Sequence, residues 1–175
     1  RVYVEGASLA VYETYETPCG ALDIDLNFSE LLRETFPFLT HFSEAHAEHS
    51  TETQMPFIQH YFPHTKVIEI VYGKIDIKAL SSLIDTLLET PKTLVVISTD
   101  LSHFYTQEEA ATLDTLCINA IKELSLESFG KSEACGMRGI QAMVMSAKKH
   151  DFKAHLLDYR TSFERSRDAT RVVGY

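Results

Sequence analysis

The sequence is short of positive charge, and no apolar run in it is long enough to span a membrane. Lys and Arg together number 16 against 25 Asp and Glu, so the formal net charge is -9. This balance argues against nucleic acid as a partner, because binding to phosphates needs clustered Lys and Arg. We also find no signal peptide, and so neither a membrane partner nor secretion is predicted.

Cysteine is scarce as well. The three cysteines, Cys19, Cys117 and Cys135, are odd in number, widely spaced and outside any CxxC pair. Secreted disulfide scaffolds carry even numbers of cysteines at short spacings. The pattern therefore argues against a disulfide framework and predicts a reducing, cytoplasmic location.

What the sequence does contain is enough apolar material for one core. Its 175 residues are 45% hydrophobic and show no repeat, linker or low-complexity tract, so we predict a single domain over residues 1–175. The chain begins with Arg1 rather than Met, and Arg1 to Val4 already has the pattern of a strand. We expect the natural protein to have a further N-terminal segment.

Strand and helix patterns alternate along the chain, which predicts an α/β fold. We expect a three-layer αβα sandwich with a mixed, largely parallel central sheet. Strands are predicted at residues 2–12, 22–26, 66–72, 93–97, 153–160 and 171–175. Amphipathic helices are predicted near residues 29–36, 55–62, 76–89, 107–124 and 140–147.

The stretch from Ser98 to His103 contains the first candidate site. It follows Thr93–Ile97, a short β-branched run typical of a strand buried on both faces. Ligands of open α/β sheets bind at the carboxyl ends of strands, which is where Asp100 and His103 would lie. They are candidates for acid/base chemistry. The alternative is that Asp100 caps the next turn and His103 is an ordinary surface residue.

Three further places carry candidate residues. Glu48 and His49 are metal ligands, a general base pair or part of a solvated loop; His41 and His46 are weaker candidates. Cys135 precedes Gly136 and a predicted helix, where the helix N-terminus and Arg138 would favour a thiolate. Alternatively Cys135 is a small buried apolar residue, as we expect for Cys117.

These pieces, in this order, resemble the Memo-like family, of the AmmeMemoRadiSam system protein B type, whose fold is similar to that of class III extradiol dioxygenases. The resemblance covers nearly the whole chain. It is carried by five blocks: Glu16-Thr17-Pro18 with Gly20; Glu48-His49-Ser50 with Glu52, Gln54 and Pro56-Phe57; Ser98-Thr99-Asp100-Leu101-Ser102-His103; Cys135-Gly136; and Tyr159, Thr161-Ser162, Ser166 and Val172-Val173-Gly174-Tyr175.

The resemblance implies a metal pocket with two histidines and one cysteine. The cysteine corresponds to Cys135, and both histidines are expected upstream of Arg1. His103 corresponds to the acid/base histidine of the dioxygenases, with Asp100 beside it. Glu48, His49 and Arg138 would line the same cleft. Two imidazoles and a thiolate suit one ion of iron or copper. For residues 1–175 alone, weak or no metal binding is expected.

Two functions are compatible with this resemblance. The first is a metal-dependent, dioxygenase-like oxidoreductase acting on a small molecule. The second is a non-catalytic binding or scaffold module that uses the same cleft for a peptide or protein. The family's association with AMMECR1-like and radical SAM proteins implies those as partners.

Overall fold

A computed structural model describes residues 4–175 of the chain, and these residues form two compact units. The first unit ends at Asp76, and the second spans Ile77–Tyr175. No helix within the described residues is long and apolar enough to cross a membrane. The single domain predicted over residues 1–175 stays a prediction.

The first unit combines five strands with three short α-helices. Its elements are β1 (Ala7–Leu9), β2 (Thr14–Thr17), β3 (Gly20–Asp23), α1 (Leu26–Thr35), β4 (Leu39–Thr40), a 3-10 helix (Ser43–His46), α2 (His49–Glu52), α3 (Met55–Tyr61) and β5 (Ile70–Tyr72). Helix α1 begins at a side-chain cap, because Asp25 accepts a hydrogen bond from the Phe28 N–H. The helix was predicted near residues 29–36, and it begins three residues earlier.

Strand β1 is the centre of the first unit. It pairs with β4 in parallel and with β5 in antiparallel orientation, so the sheet order is β4-β1-β5. All three of its residues are buried. Strands β2 and β3 form a separate hairpin. Gly20 in its turn has a φ of 120°, a backbone conformation that residues other than glycine rarely adopt.

The second unit is mainly helical. Its elements are α4 (Ile77–Glu89), β6 (His103–Tyr105), α5 (Gln107–Lys122), a 3-10 helix (Glu127–Phe129), α6 (Met137–Lys149), α7 (Phe163–Ser166) and β7 (Val172–Val173). Helix α5 begins at Thr106, which forms a reciprocal capping box with Glu109. Helices α5 and α6 bury Cys117 and Val144 in one apolar cluster with Leu101. The predicted core position of Cys117 is confirmed.

The α/β class and the mixed sheet are confirmed, whereas the three-layer arrangement stays a prediction. Parallel pairing does not dominate the ladders of the described residues: β1–β4 is parallel, and β1–β5, β2–β3 and β6–β7 are antiparallel. Residues 2 and 3 of the predicted first strand lie outside the described residues.

The predicted buried strand at Thr93–Ile97 is wrong. This segment forms no strand within residues 4–175, and it is not buried on both faces. Leu94 is 76% exposed and Val96 is 59% exposed. A β-branched run favours extended backbone, but a strand also needs a partner, and none of the described segments pairs with this one. The predicted strand at 153–160 is likewise not formed among the described residues, although Arg160, at its end, exchanges backbone hydrogen bonds with Tyr175.

Candidate functional site

The Cys135 thiol lies against the loop that carries Asp100. The Asp100 backbone N–H donates to Cys135 Sγ at 3.2 Å, and Thr99 Oγ1 lies 3.4 Å from the same sulfur. In return, the Cys135 N–H donates to the Asp100 carbonyl at 3.0 Å and the Gly136 N–H donates to Thr99 Oγ1 at 2.7 Å. These four contacts join two segments that are 35 residues apart in sequence.

Cys135 is also accessible and well placed for chemistry. The residue is exposed, and it directly precedes Gly136, the N-cap of α6. Its sulfur therefore combines access to solvent with a fixed position, since the hydrogen bonds to the loop of Asp100 hold it beside the first turn of the helix. Of the two alternatives left by the sequence, the small buried apolar residue is wrong for Cys135. Arg138 is an exposed residue in the first turn of the same helix.

His103 lies between two acceptor oxygens. Its Nδ1 is 3.0 Å from the Leu101 carbonyl oxygen, and its Nε2 is 3.4 Å from Asp100 Oδ2. Because a carbonyl can only accept, the shorter contact at Nδ1 favours the tautomer with its hydrogen there, which leaves Nε2 to take up or release a proton. The contact at Nδ1 assigns the choice of tautomer to the Leu101 carbonyl rather than to Asp100.

The backbone is irregular immediately after His103. Phe104 has a φ of 67°, an outlier for a bulky residue, and it interrupts the ladder between β6 and β7. The Arg171 guanidinium lies 4.3 Å from the centre of the Phe104 ring. His103 therefore lies at the start of a short antiparallel strand, beside a bulge. The predicted position at the carboxyl end of a parallel strand is wrong.

The structure also contains a buried group here that the sequence analysis missed. Asp114 is fully buried on α5 and accepts hydrogen bonds from the Ser102 N–H at 2.9 Å and the Tyr159 hydroxyl at 2.7 Å. Burial and the bond to Asp114 raise the pKa of Tyr159. One signal was available: Asp114 lies four residues after Ala110 and three before Cys117, on the apolar face of the helix.

Glu48 and His49 belong to the first unit, and their contacts are local. Glu48 is the N-cap of α2 and accepts from the Ser50 N–H at 3.4 Å. The side chain of His49 is 90% exposed, with Nδ1 2.8 Å from Glu52 Oε2. These contacts match the solvated loop, one of the alternatives that the sequence left open, and the cap at Glu48 is an addition from the structure. A cleft shared with His103 stays a prediction.

A second polar cluster is buried in the first unit, and of its members the sequence analysis named only His46, as a weaker candidate. His46 lies between Ser8 and Glu69: Nε2 is 2.9 Å from Ser8 Oγ, and Nδ1 is 2.8 Å from Glu69 Oε2. The Tyr12 hydroxyl donates to the same carboxylate oxygen. The order hydroxyl–imidazole–carboxylate is the one that activates nucleophilic serines. Ser8 is fully buried, however, and its Oγ accepts from the Phe42 N–H, so a substrate cannot reach it in this conformation.

The carboxylate of this cluster is held in its charged form. Burial raises the pKa of Glu69, but hydrogen bonds from His46 and Tyr12 outweigh that effect and place its pKa below the usual range. The same burial, with the bond to Glu69, raises the pKa of Tyr12. We regard the cluster as a structural network.

The described residues near Cys135 can supply one metal ligand but not a complete metal centre. Within residues 4–175, no group of three or more His, Cys, Asp or Glu side chains is arranged to hold a metal ion. Cys135 offers a soft, accessible donor, whereas a bound ion would need further ligands from beyond the described residues. No reaction step through a metal can be derived from these residues.

Comparison with known proteins identifies the relatives of the chain. The family model for a Memo-like protein matches residues 1–175. A MEMO1 family protein of Desulfurococcus amylolyticus is 32% identical over 185 residues, which cover 97% of this chain and 65% of that protein. The corresponding values are 31%, 97% and 66% for a MEMO1 family protein of Methanobrevibacter smithii, and 30%, 97% and 68% for one of Aquifex aeolicus. The chain spans less than two thirds of the length of the first two relatives. Its full-length match to the family model nevertheless settles its relationship: the chain belongs to the Memo-like protein family.

Proposed function

We propose that the chain provides Cys135 as a ligand to one soft metal ion, iron or copper, and that His103 with Asp100 moves protons beside it. The activity would be that of a metal-dependent oxidoreductase with a small-molecule substrate. The observation that carries this proposal is the accessible sulfur of Cys135. It lies at the N-terminus of α6 and accepts a hydrogen bond from the Asp100 N–H. An iron or copper ion supplies redox chemistry when it is bound.

The residues around His103 suit the transfer of a proton. The Leu101 carbonyl holds the Nδ1 hydrogen, which leaves Nε2 as the reactive nitrogen. When Nε2 is protonated, the Asp100 carboxylate at 3.4 Å stabilises the imidazolium. The side chains are 31% and 44% exposed, so a substrate can reach both groups. Asp100 contacts both Cys135 and His103, and thereby couples the ligand to the acid/base group.

The test is the metal content of the protein expressed from its complete gene. Metal analysis should find about one iron or copper ion per chain, in keeping with a single thiolate-containing site. The Cys135→Ser variant should lose that ion. Cys19→Ser is the matched control, because Cys19 is also an exposed free cysteine, and it should keep the ion. Full metal content in Cys135→Ser would overturn the proposal.

A second candidate function is a binding module without catalysis. The segment 93–97 leads directly into the loop of Asp100, and it is apolar and exposed at Leu94 and Val96. Its β-branched residues favour extended backbone, and extended segments bind peptides by strand addition. In this case, AMMECR1-like or radical SAM proteins should slow amide hydrogen exchange in 93–97, and His103→Ala should leave that effect intact. Unchanged exchange with both partners would exclude this function for the segment.

A further inference from the structure

We propose that Asp114 is a positioning residue for His103, and that it acts through the peptide group between Leu101 and Ser102. This inference rests on the proposed role of His103 as the acid/base group. Asp114 does not touch the imidazole. It holds the peptide whose carbonyl orients the ring.

The peptide group joining Leu101 to Ser102 has hydrogen bonds on both sides. Its N–H, from Ser102, donates to Asp114 Oδ1 at 2.9 Å. Its carbonyl oxygen, from Leu101, lies 3.0 Å from His103 Nδ1. Because a peptide group is planar, its N–H and C=O turn together. An acceptor that fixes the direction of the N–H therefore also fixes the direction of the carbonyl that holds the ring.

The charge of Asp114 strengthens this effect. Hydrogen bonds that run through a chain of groups polarise one another, most of all where the local dielectric is low. An anionic acceptor on the N–H side makes the carbonyl a better acceptor on the other side. The result resembles the aspartate–histidine pair of hydrolytic enzymes, with one peptide group placed between the two side chains.

Asp114 is itself held from two further directions. The Tyr159 hydroxyl donates to its second oxygen, Oδ2, at 2.7 Å. Gly174 packs so closely that a Cβ there would overlap Oδ2. The backbone of Gly174 also bonds to both residues of this peptide group. The Leu101 N–H donates to the Gly174 carbonyl at 2.9 Å, and the Gly174 N–H donates to the Ser102 carbonyl at 3.0 Å. The carboxylate and the peptide thus have one arrangement available to them.

Measuring the tautomer of His103 distinguishes a positioning role of Asp114 from a merely structural one. A structural role would alter the stability of the protein without altering the tautomer. Nitrogen-15 spectra at pH 8, above the ordinary titration range of histidine, distinguish a ring protonated at Nδ1 from one protonated at Nε2. Loss of the His103 signals in His103→Asn assigns the resonances. Wild-type protein should show the Nδ1–H form. In Asp114→Asn the ratio of the two forms should shift about 3- to 10-fold toward Nε2–H, as expected for the weakening of one oriented hydrogen bond.

Asp85→Asn is the matched control. Asp85 is the other largely buried carboxylate paired with side chains in this unit, and it bonds to Lys149 and His150 at the far end of α6. At 1.5 Å per residue, that end of the helix is about 20 Å from Gly136. Asp85→Asn should leave the tautomer ratio of His103 unchanged.

Two further variants keep the inference testable if Asp114→Asn fails to fold. Tyr159→Phe removes one support of the carboxylate, and Gly174→Ala displaces the carboxylate while retaining every hydrogen-bonding group. Both should shift the ratio in the same direction. A folded Asp114→Asn, or both of these variants, with the wild-type ratio would overturn the inference. The measurement needs neither metal nor turnover, so its outcome is independent of the metal analysis of Cys135→Ser.

Discussion

Replacing Glu69 with glutamine should weaken the first unit far more than the same replacement at Glu52. Both carboxylates lie 2.8 Å from a histidine Nδ1, so the local geometry is the same. Their environments differ: the side chains of His46 and Glu69 are 4% and 0% exposed, whereas those of His49 and Glu52 are 90% and 61% exposed. The pair of substitutions therefore compares a buried carboxylate, which also accepts from the Tyr12 hydroxyl, with an exposed one.

The expected magnitude follows from the bonds that Glu69 accepts. Glutamine has nearly the same shape, and its amide oxygen can still accept from His46 and Tyr12, so the change removes the charge and not the contacts. A hydrogen bond to a charged acceptor stabilises by about 1.5–3 kcal/mol and one to a neutral acceptor by about 0.5–1.5 kcal/mol. Over two bonds, the loss is about 2–3 kcal/mol. For the exposed pair, we expect less than about 1 kcal/mol.

Hydrogen exchange measures this difference within one unit. Amides of β1 and β5 that exchange only when the unit opens should exchange about 30- to 160-fold faster in Glu69→Gln, the equivalent of 2–3 kcal/mol. Glu52→Gln should change the same rates by less than about fivefold. Equal effects of the two substitutions would refute the reasoning, because burial would then not determine the strength of the pair.

Three other outcomes are expected. The pKa of Glu69 is lower in the folded protein than in the unfolded chain, where it is about 4.3. The stabilisation by Glu69 should therefore be complete above that unfolded value and should disappear as the pH falls through the lower, folded value. The difference in exchange rates between wild type and Glu69→Gln should shrink over the same fall in pH. A thiol reagent should modify Cys19 and Cys135 in the native protein and Cys117 only after unfolding, because burial shields that thiol and raises its pKa. Thr106→Ala should destabilise the first turn of α5 by about 1 kcal/mol through loss of the capping box, measured by amide exchange in that turn.

The helices of the second unit could be predicted from the sequence because their signals are local. Helix α4 has apolar residues at helical spacing, and α5 begins at Thr106, whose partner Glu109 lies three residues on. Helix α6 ends with the basic Lys148 and Lys149, as a helix C-terminus favours. Each signal lies within one turn of the boundary that it marks.

The pairing of the strands and the buried polar groups could not be predicted in this way. The run Thr93–Ile97 shows a preference for extended backbone, but the partner that would make it a strand is not encoded locally. His46 and Asp114 are buried by residues distant in sequence, so their surroundings cannot be inferred from neighbouring residues. The contact of Cys135 with Asp100 spans 35 residues, and the family resemblance, not any periodicity, placed the two together.

The two buried carboxylates illustrate why access, rather than the pattern of hydrogen bonds, separates a structural network from a candidate site. Glu69 and Asp114 each accept from a tyrosine hydroxyl, and each acts on an imidazole. Glu69 bonds directly to His46, which is sealed against a buried serine, and no ligand can exchange a proton with that ring while the unit stays closed. Asp114 acts from the interior through one peptide group, and so the ring it orients can remain 31% exposed. A peptide between carboxylate and imidazole allows the charge to stay buried while the base faces solvent. Substitutions of Asp114 and His103 should therefore affect any turnover together, whereas substitutions of Glu69 and His46 should affect only stability.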